Sequence, residues 1–145
     1  MQYIITEVDG SEPETAAEIR RWNAMSPPEL FPELSDHHLE SGYWWFAYRG
    51  NDPVAFAGMV DNEPHIGEVY FKRCYVLPDH VGHGLQLRLM FVREVKAREL
   101  GYKQIVSECS EDSHSNFNFR RAHFERIFPE QVWGKPGSVF WRKRL

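Results

Sequence analysis

Cysteine is scarce in this chain, with Cys74 and Cys109 the only two in 145 residues, which excludes a disulfide framework. Both lie in apolar runs, so buried thiols in a reducing compartment are expected. Long hydrophobic runs are missing as well: none approaches the roughly 20 residues that span a bilayer. The opening MQYIITEVDG has neither the basic start nor the apolar stretch of a signal peptide. A cytoplasmic location with no membrane partner follows as the expectation. Charge of one sign does not dominate: 17 Lys and Arg against 21 Asp and Glu leave a net charge of −4. No basic stripe marks a nucleic-acid partner. The one basic cluster, WRKRL at 141–145, alternates with apolar neighbours and reads as the solvated face of a last strand. Repeats and low-complexity linkers are absent too. His37, His38, His65, His80, His83 and His114 never fall at a zinc-site spacing with cysteine or carboxylate, so no metal is expected.

What is present suits one domain over residues 1–145, with 42% apolar and 14% aromatic residues to build a core. QYIITEV (2–8) reads as a strand ended by the turn dipeptide Asp9-Gly10. Ser11 is expected to cap a helix reaching about Met25, with Pro13 in its first turn and Glu14 at capping-box spacing. The three prolines of SPPELFPEL (26–34) allow only short helical pieces. GYWWFAYRG (42–50) and DPVAFAGMVD (52–61) read as a hairpin about Gly50-Asn51. IGEVYFKRCYVLP (66–78) is the next strand. Leu85, Leu89, Val92 and Val95, at steps of four, three and three, predict one buried face of a helix ending at Gly101. A central strand over 104–109, a helix from Asn116 to about Phe128, and a closing hairpin of 131–133 with 138–145 complete the order. The pattern is a mixed α/β sandwich with one crossover.

The stretch VLPDHVGHGLQ (76–86) sets Gly82 and Gly84 between a strand and a helix. The first turn of a helix has amides with no intrahelical partner, and its dipole welcomes an anion. Glycine lets a phosphate approach the backbone, though two glycines also suit a flexible corner. A nucleotide P-loop fails for want of Lys-Ser or Lys-Thr, and a dinucleotide fingerprint fails because Leu87 stands where a third glycine belongs.

The wider stretch CYVLPDHVGHGLQLRLM resembles the signature of the GNAT family of N-acetyltransferases, in which [RQ]-x-x-G-x-[GA] opens a long helix after a strand. ARELGYKQIVSEC continues the likeness, and NFNFRRAHFERIF is similar to the family's N-x-x-A-x-x-L-Y-x-K-x-G-F helix. Val81 stands where the family has Arg or Gln, and Gln86 where it has Gly or Ala. The resemblance implies the GNAT fold, a mixed, mostly antiparallel sheet of six to seven strands flanked by helices. It also implies transfer of an acetyl group from acetyl-CoA to a primary amine of a small molecule or protein. The implied pyrophosphate contacts are Val81, Gly82, His83, Gly84, Leu85 and Gln86, with Asn116 a further contact. Backbone near Tyr75 and Val76 is expected to bond the pantetheine arm where the 66–78 strand splays from the 104–109 strand. Glu108 and Glu68 are the candidate bases, Glu108 favoured because a charge in an apolar strand needs a cleft or a partner. His123 falls on the family's acidic tyrosine and is the candidate proton donor to the leaving thiolate. The alternative is a weak or inactive GNAT-fold module acting by protein binding or CoA sensing, a reading that Val81, Gln86 and His123 favour. Family members often pair through edge strands, and the 138–145 strand is the candidate edge for a homodimer.

Overall fold

The computed structural model describes every residue except Met1, Val132, Gly134 and Lys135. In chain order the elements are β1 (Ile4–Val8), α1 (Pro13–Asn23), α2 (Asp36–Ser41), β2 (Tyr43–Arg49), β3 (Asp52–Asp61) and β4 (Glu68–Val76). A 3-10 turn at Pro78–His80 leads to α3 (Leu85–Glu99), then β5 (Gln104–Ser110), α4 (Ser115–Arg121), β6 (Glu125–Ile127) and β7 (Ser138–Arg144). The strands form one seven-stranded sheet in the order β1-β2-β3-β4-β5-β7-β6. β4 and β5 are parallel, which requires a crossover, and α3 supplies it. The pairs β1–β2, β2–β3, β5–β7 and β6–β7 are antiparallel. The chain divides into two compact units, Met1–Val60 with Lys72–Leu85, and Asp61–Phe71 with Gln86–Leu145, so β4 contributes residues to both.

In the first unit, Trp44 to Ala47 of β2 are buried without alternation, as expected of a strand covered on both faces. Trp22 of α1 meets Phe46 and Phe56 edge-on or tilted at 5.7 and 5.9 Å between ring centroids. Gly58 is paired with Trp44, and a Cβ there would lie 2.3 Å from the indole, so only glycine admits this ring. The α1 cap differs from expectation. Glu12 occupies the N-cap without a side-chain bond, while the Ser11 amide and hydroxyl both donate to the Asp9 carboxylate at 2.9 and 2.6 Å. Asp9 outcompetes the helix for Ser11, and this pairing holds its carboxyl below the ordinary range. The proline-rich 26–34 segment forms turns rather than helix. α2 follows, unanticipated, capped by Ser35, whose hydroxyl accepts from the His38 amide at 3.1 Å.

In the second unit, α3 ends at Gly101 (φ +84°), with Tyr102 N donating to the Ala97 carbonyl at 3.0 Å and Gly101 N to that of Arg98 at 3.1 Å. That is a Schellman closure, as anticipated at this glycine. The buried stripe differs: Leu85, Leu89, Met90, Arg93 and Ala97 are buried, whereas Val95 is 39% exposed and Val92 only half-buried. Steps of four put Arg93 on the inner line, where its guanidinium lies 4.1 Å from the Phe71 ring centroid.

α4 stops at Arg121, seven residues short of the expected Phe128. His123 adopts φ +68°, its amide donates to the Arg120 carbonyl at 3.0 Å, and Phe124 N donates to that of Phe119 at 2.9 Å. Phe119 and Phe124 touch at 5.1 Å, the apolar contact that accompanies a Schellman end. Residues assigned to helix thus become β6, whose Glu125, Arg126 and Ile127 pair with Arg142, Trp141 and Phe140 of β7. The strand expected over 131–133 includes Val132, outside the described residues. β7 lies between β5 and β6, so the 138–145 strand is not the edge proposed for pairing.

Candidate functional site

The glycine loop belongs to the first unit. β4 enters it through a left-handed residue, Arg73 (φ +66°), which interrupts an otherwise extended strand. Side-chain contacts hold that conformation. Arg73 Nε donates to Asn23 Oδ1 at 2.7 Å, an Nη donates to the Pro32 carbonyl at 2.8 Å, and the guanidinium lies 5.0 Å from the Phe31 centroid. Tyr75 and Val76, the expected backbone partners of a pantetheine arm, follow this interruption and are half-buried. The Leu77 amide then donates to the Val54 carbonyl at 2.9 Å, and the 3-10 turn redirects the chain.

Gly82 (φ +92°) and Gly84 (φ +75°) are both left-handed, and a Cβ on either would meet nothing within 4 Å. Backbone angle, not crowding, selects glycine here, and the result is a stretch of exposed main chain from Val81 to Gly84. Leu85, the first residue of α3, is buried and anchors the helix start. No side-chain bulk at Gly82 or Gly84 opposes an anion at those amides. Val81, 59% exposed, presents no charge where the family signature has Arg or Gln. His80 and His83 are not simply solvated. Tyr3, only 6% exposed, shares a hydrogen bond with His80 Nδ1 at 3.0 Å and sets its ring 5.8 Å from that of His83. Sequence reading passed over Tyr3 because 77 residues separate it from His80.

The remaining expected residues belong to the second unit. Gln86 spends its side-chain amide on α4: Nε2 donates to Ser115 Oγ at 2.7 Å, and Oε1 accepts from Asn118 Nδ2 at 2.6 Å. Asn116 is equally committed. Its Nδ2 donates to the carbonyls of Ser110, Glu111 and Ser113 at 2.9–3.1 Å, and its Oδ1 accepts from Trp141 Nε1 at 3.1 Å and Cys109 Sγ at 3.3 Å. This residue pins the β5–α4 turn to β7. Burial pushes the Cys109 thiol up to about 11, so it stays protonated near neutrality.

The β4–β5 ladder runs from Glu68–Gln104 to Tyr70–Val106, after which Ser107 Oγ donates to the Phe71 carbonyl at 2.9 Å. Glu68 opens the ladder, with its two oxygens accepting from Asn62 and Gln104 amides. Glu108 follows the ladder's end, half-buried, and accepts from the Tyr70 hydroxyl at 2.9 Å. His123 is exposed on the turn that closes α4 rather than on the helix. Among the described residues no group of three or more His, Cys, Asp and Glu could hold a metal ion, and no helix is long and apolar enough to cross a membrane.

The profile of the Acetyltransferase (GNAT) family matches residues 11–124. The chain belongs to the GNAT family. Solved GNAT structures superpose over nearly its whole length. An acetyltransferase from Bacillus subtilis in complex with CoA is 18% identical, with 99% of each chain covered and a TM-score of 0.76. A GNAT acetyltransferase from Elizabethkingia anophelis with acetyl-CoA bound is 17% identical, covering 99% of this chain and 98% of that one, with a TM-score of 0.71. The ribosomal-protein-S18-alanine N-acetyltransferase of Escherichia coli is 12% identical over 99% and 94% of the two chains, with a TM-score of 0.72. At these identities the likeness is one of fold. A search of curated proteins finds no match. The seven-stranded, mostly antiparallel sheet with flanking helices is the GNAT fold anticipated from the glycine stretch.

Proposed function

We propose that this protein is an acyl-CoA-dependent N-acetyltransferase that moves an acetyl group from acetyl-CoA to a primary amine. The observation that carries the reading is the left-handed pair Gly82 and Gly84, which bares the backbone immediately before α3. In this reading the amides from Val81 to Gln86 hold the pyrophosphate, and Val81 forgoes a side-chain charge without removing those donors. The side chain of Gln86, the second residue of α3, is held by Ser115 and Asn118. The backbone of Tyr75 and Val76 bonds the pantetheine arm. Asn116 contributes by shaping the turn after β5.

Rate enhancement comes chiefly from holding amine and thioester together, an effect that can contribute roughly 7–11 kcal/mol. The attacking amine is a cation near neutrality and must lose a proton. We assign that proton to Glu108, since both Glu68 oxygens are already held by amides. Glu68 stands as the secondary candidate. His123 is the proposed donor to the departing thiolate, its exposed imidazole set by the α4 closure. A test is thiol release from acetyl-CoA across a panel of small amines and peptide N-termini. Release with at least one amine supports transfer. A second reading, a CoA-sensing module, is favoured by the uncharged Val81, and predicts acetyl-CoA binding with no release on any amine.

A further inference from the structure

Glu108 is held through one oxygen. Oε1 accepts from the Tyr70 hydroxyl at 2.9 Å, and among the described residues no hydrogen bond reaches Oε2. The contact is a diagonal one across the parallel ladder: Tyr70 pairs with Val106, and Glu108 lies two residues further along the same face of β5. Aromatic side chains span such diagonals. On the other side β7 sets Phe140 opposite Glu108. Phe140 is only 5% exposed, with the Trp133 ring 4.2 Å from its own. That flank sets an apolar ring opposite Glu108. Of the cations on the neighbouring strands, Arg142 pairs with Glu125 at 2.9 Å, and Arg126 lies over Phe128 and Trp141.

A glutamate side chain has several rotatable bonds, and an unheld one spends most of its time misdirected. We propose that Tyr70 is a positioning residue: its hydroxyl fixes Oε1 of Glu108 so that Oε2 receives the proton of the acceptor amine. This inference rests on the acetyltransferase reading above. In the step, the amine N–H bond breaks, its proton passes to Oε2, and the Tyr70 proton stays on its own oxygen.

The test is a double-mutant cycle on the full chain with Tyr70→Phe, Glu108→Gln and the pair. Tyr70→Phe keeps the ring, so melting temperature and KM for acetyl-CoA are expected to hold while kcat falls about tenfold, the worth of a hydrogen bond to a charged group. In the Glu108→Gln background, Tyr70→Phe is expected to cost nothing further. Full activity of Tyr70→Phe, or losses that add in the double variant, overturns the role of Tyr70 and leaves the acetyltransferase reading standing. Absence of acetyl transfer by the wild type on every amine overturns that reading and the Tyr70 role with it.

Discussion

Gly84 illustrates how much one residue can decide. With φ at +75° and open space around a notional Cβ, Gly84→Ala introduces backbone strain of about 1–2 kcal/mol without a clash. The variant is expected to fold, with a modestly lower melting temperature, and to bind acetyl-CoA measurably more weakly by calorimetry. For Glu108→Gln the expectation is the reverse pattern, an unchanged acetyl-CoA affinity with kcat down by about 100-fold or more, the scale of a lost general base. Cys109 carries a pH prediction. Its folded thiol titrates at about 11, above an ordinary value of 9.0, so the native state binds the proton more tightly than the unfolded chain does. Its contribution is therefore fully present below pH 9 and is lost as pH rises toward 11. Urea midpoints measured across that interval should show a decline that Cys109→Ala reduces. At this scale the left-handed glycines and the unpaired state of the two thiols were legible in the sequence, because each rests on a residue's own chemistry, while both thiols are half-buried rather than buried as expected. Tyr3 and the clamp on Arg73 were not, since both depend on partners dozens of residues away.

Elements were legible where their punctuation is conventional. α3 begins after a glycine pair and ends at Gly101, and the β2–β3 hairpin turns on Gly50-Asn51. α4 defeats the same logic because its Schellman position is filled by His123, a residue that pattern reading carries straight through a helix. The closing signal was instead the Phe119–Phe124 pair, which also fits helical packing. From this follow both the overlong helix and the missed strand β6. The buried stripe of α3 was misjudged because Arg93 is soluble by composition yet covers Phe71. His123→Gly suits the left-handed backbone and is expected to leave the melting temperature equal or higher. It therefore separates chemistry from folding: a proton-donating His123 requires turnover to fall in that variant. Unchanged turnover would remove it from the reaction.

At the scale of the whole molecule, the strand–loop–helix–strand order around the parallel β4–β5 pair was readable, because a parallel pair demands a crossover. Strand order at the β7 end was not, as it hinges on three residues hidden inside the presumed helix. The central claim is that this GNAT-family chain holds acetyl-CoA on the backbone of its glycine loop, and thermal unfolding with acetyl-CoA tests it most directly. At 100 times the dissociation constant, a ligand bound only by the folded state adds about 2.7 kcal/mol. For a chain of this size that corresponds to a rise of about 5–10 °C in melting temperature. The account predicts that rise for the wild type and a smaller one for Gly84→Ala at the same acetyl-CoA concentration. An unchanged melting temperature for the wild type in millimolar acetyl-CoA would contradict it.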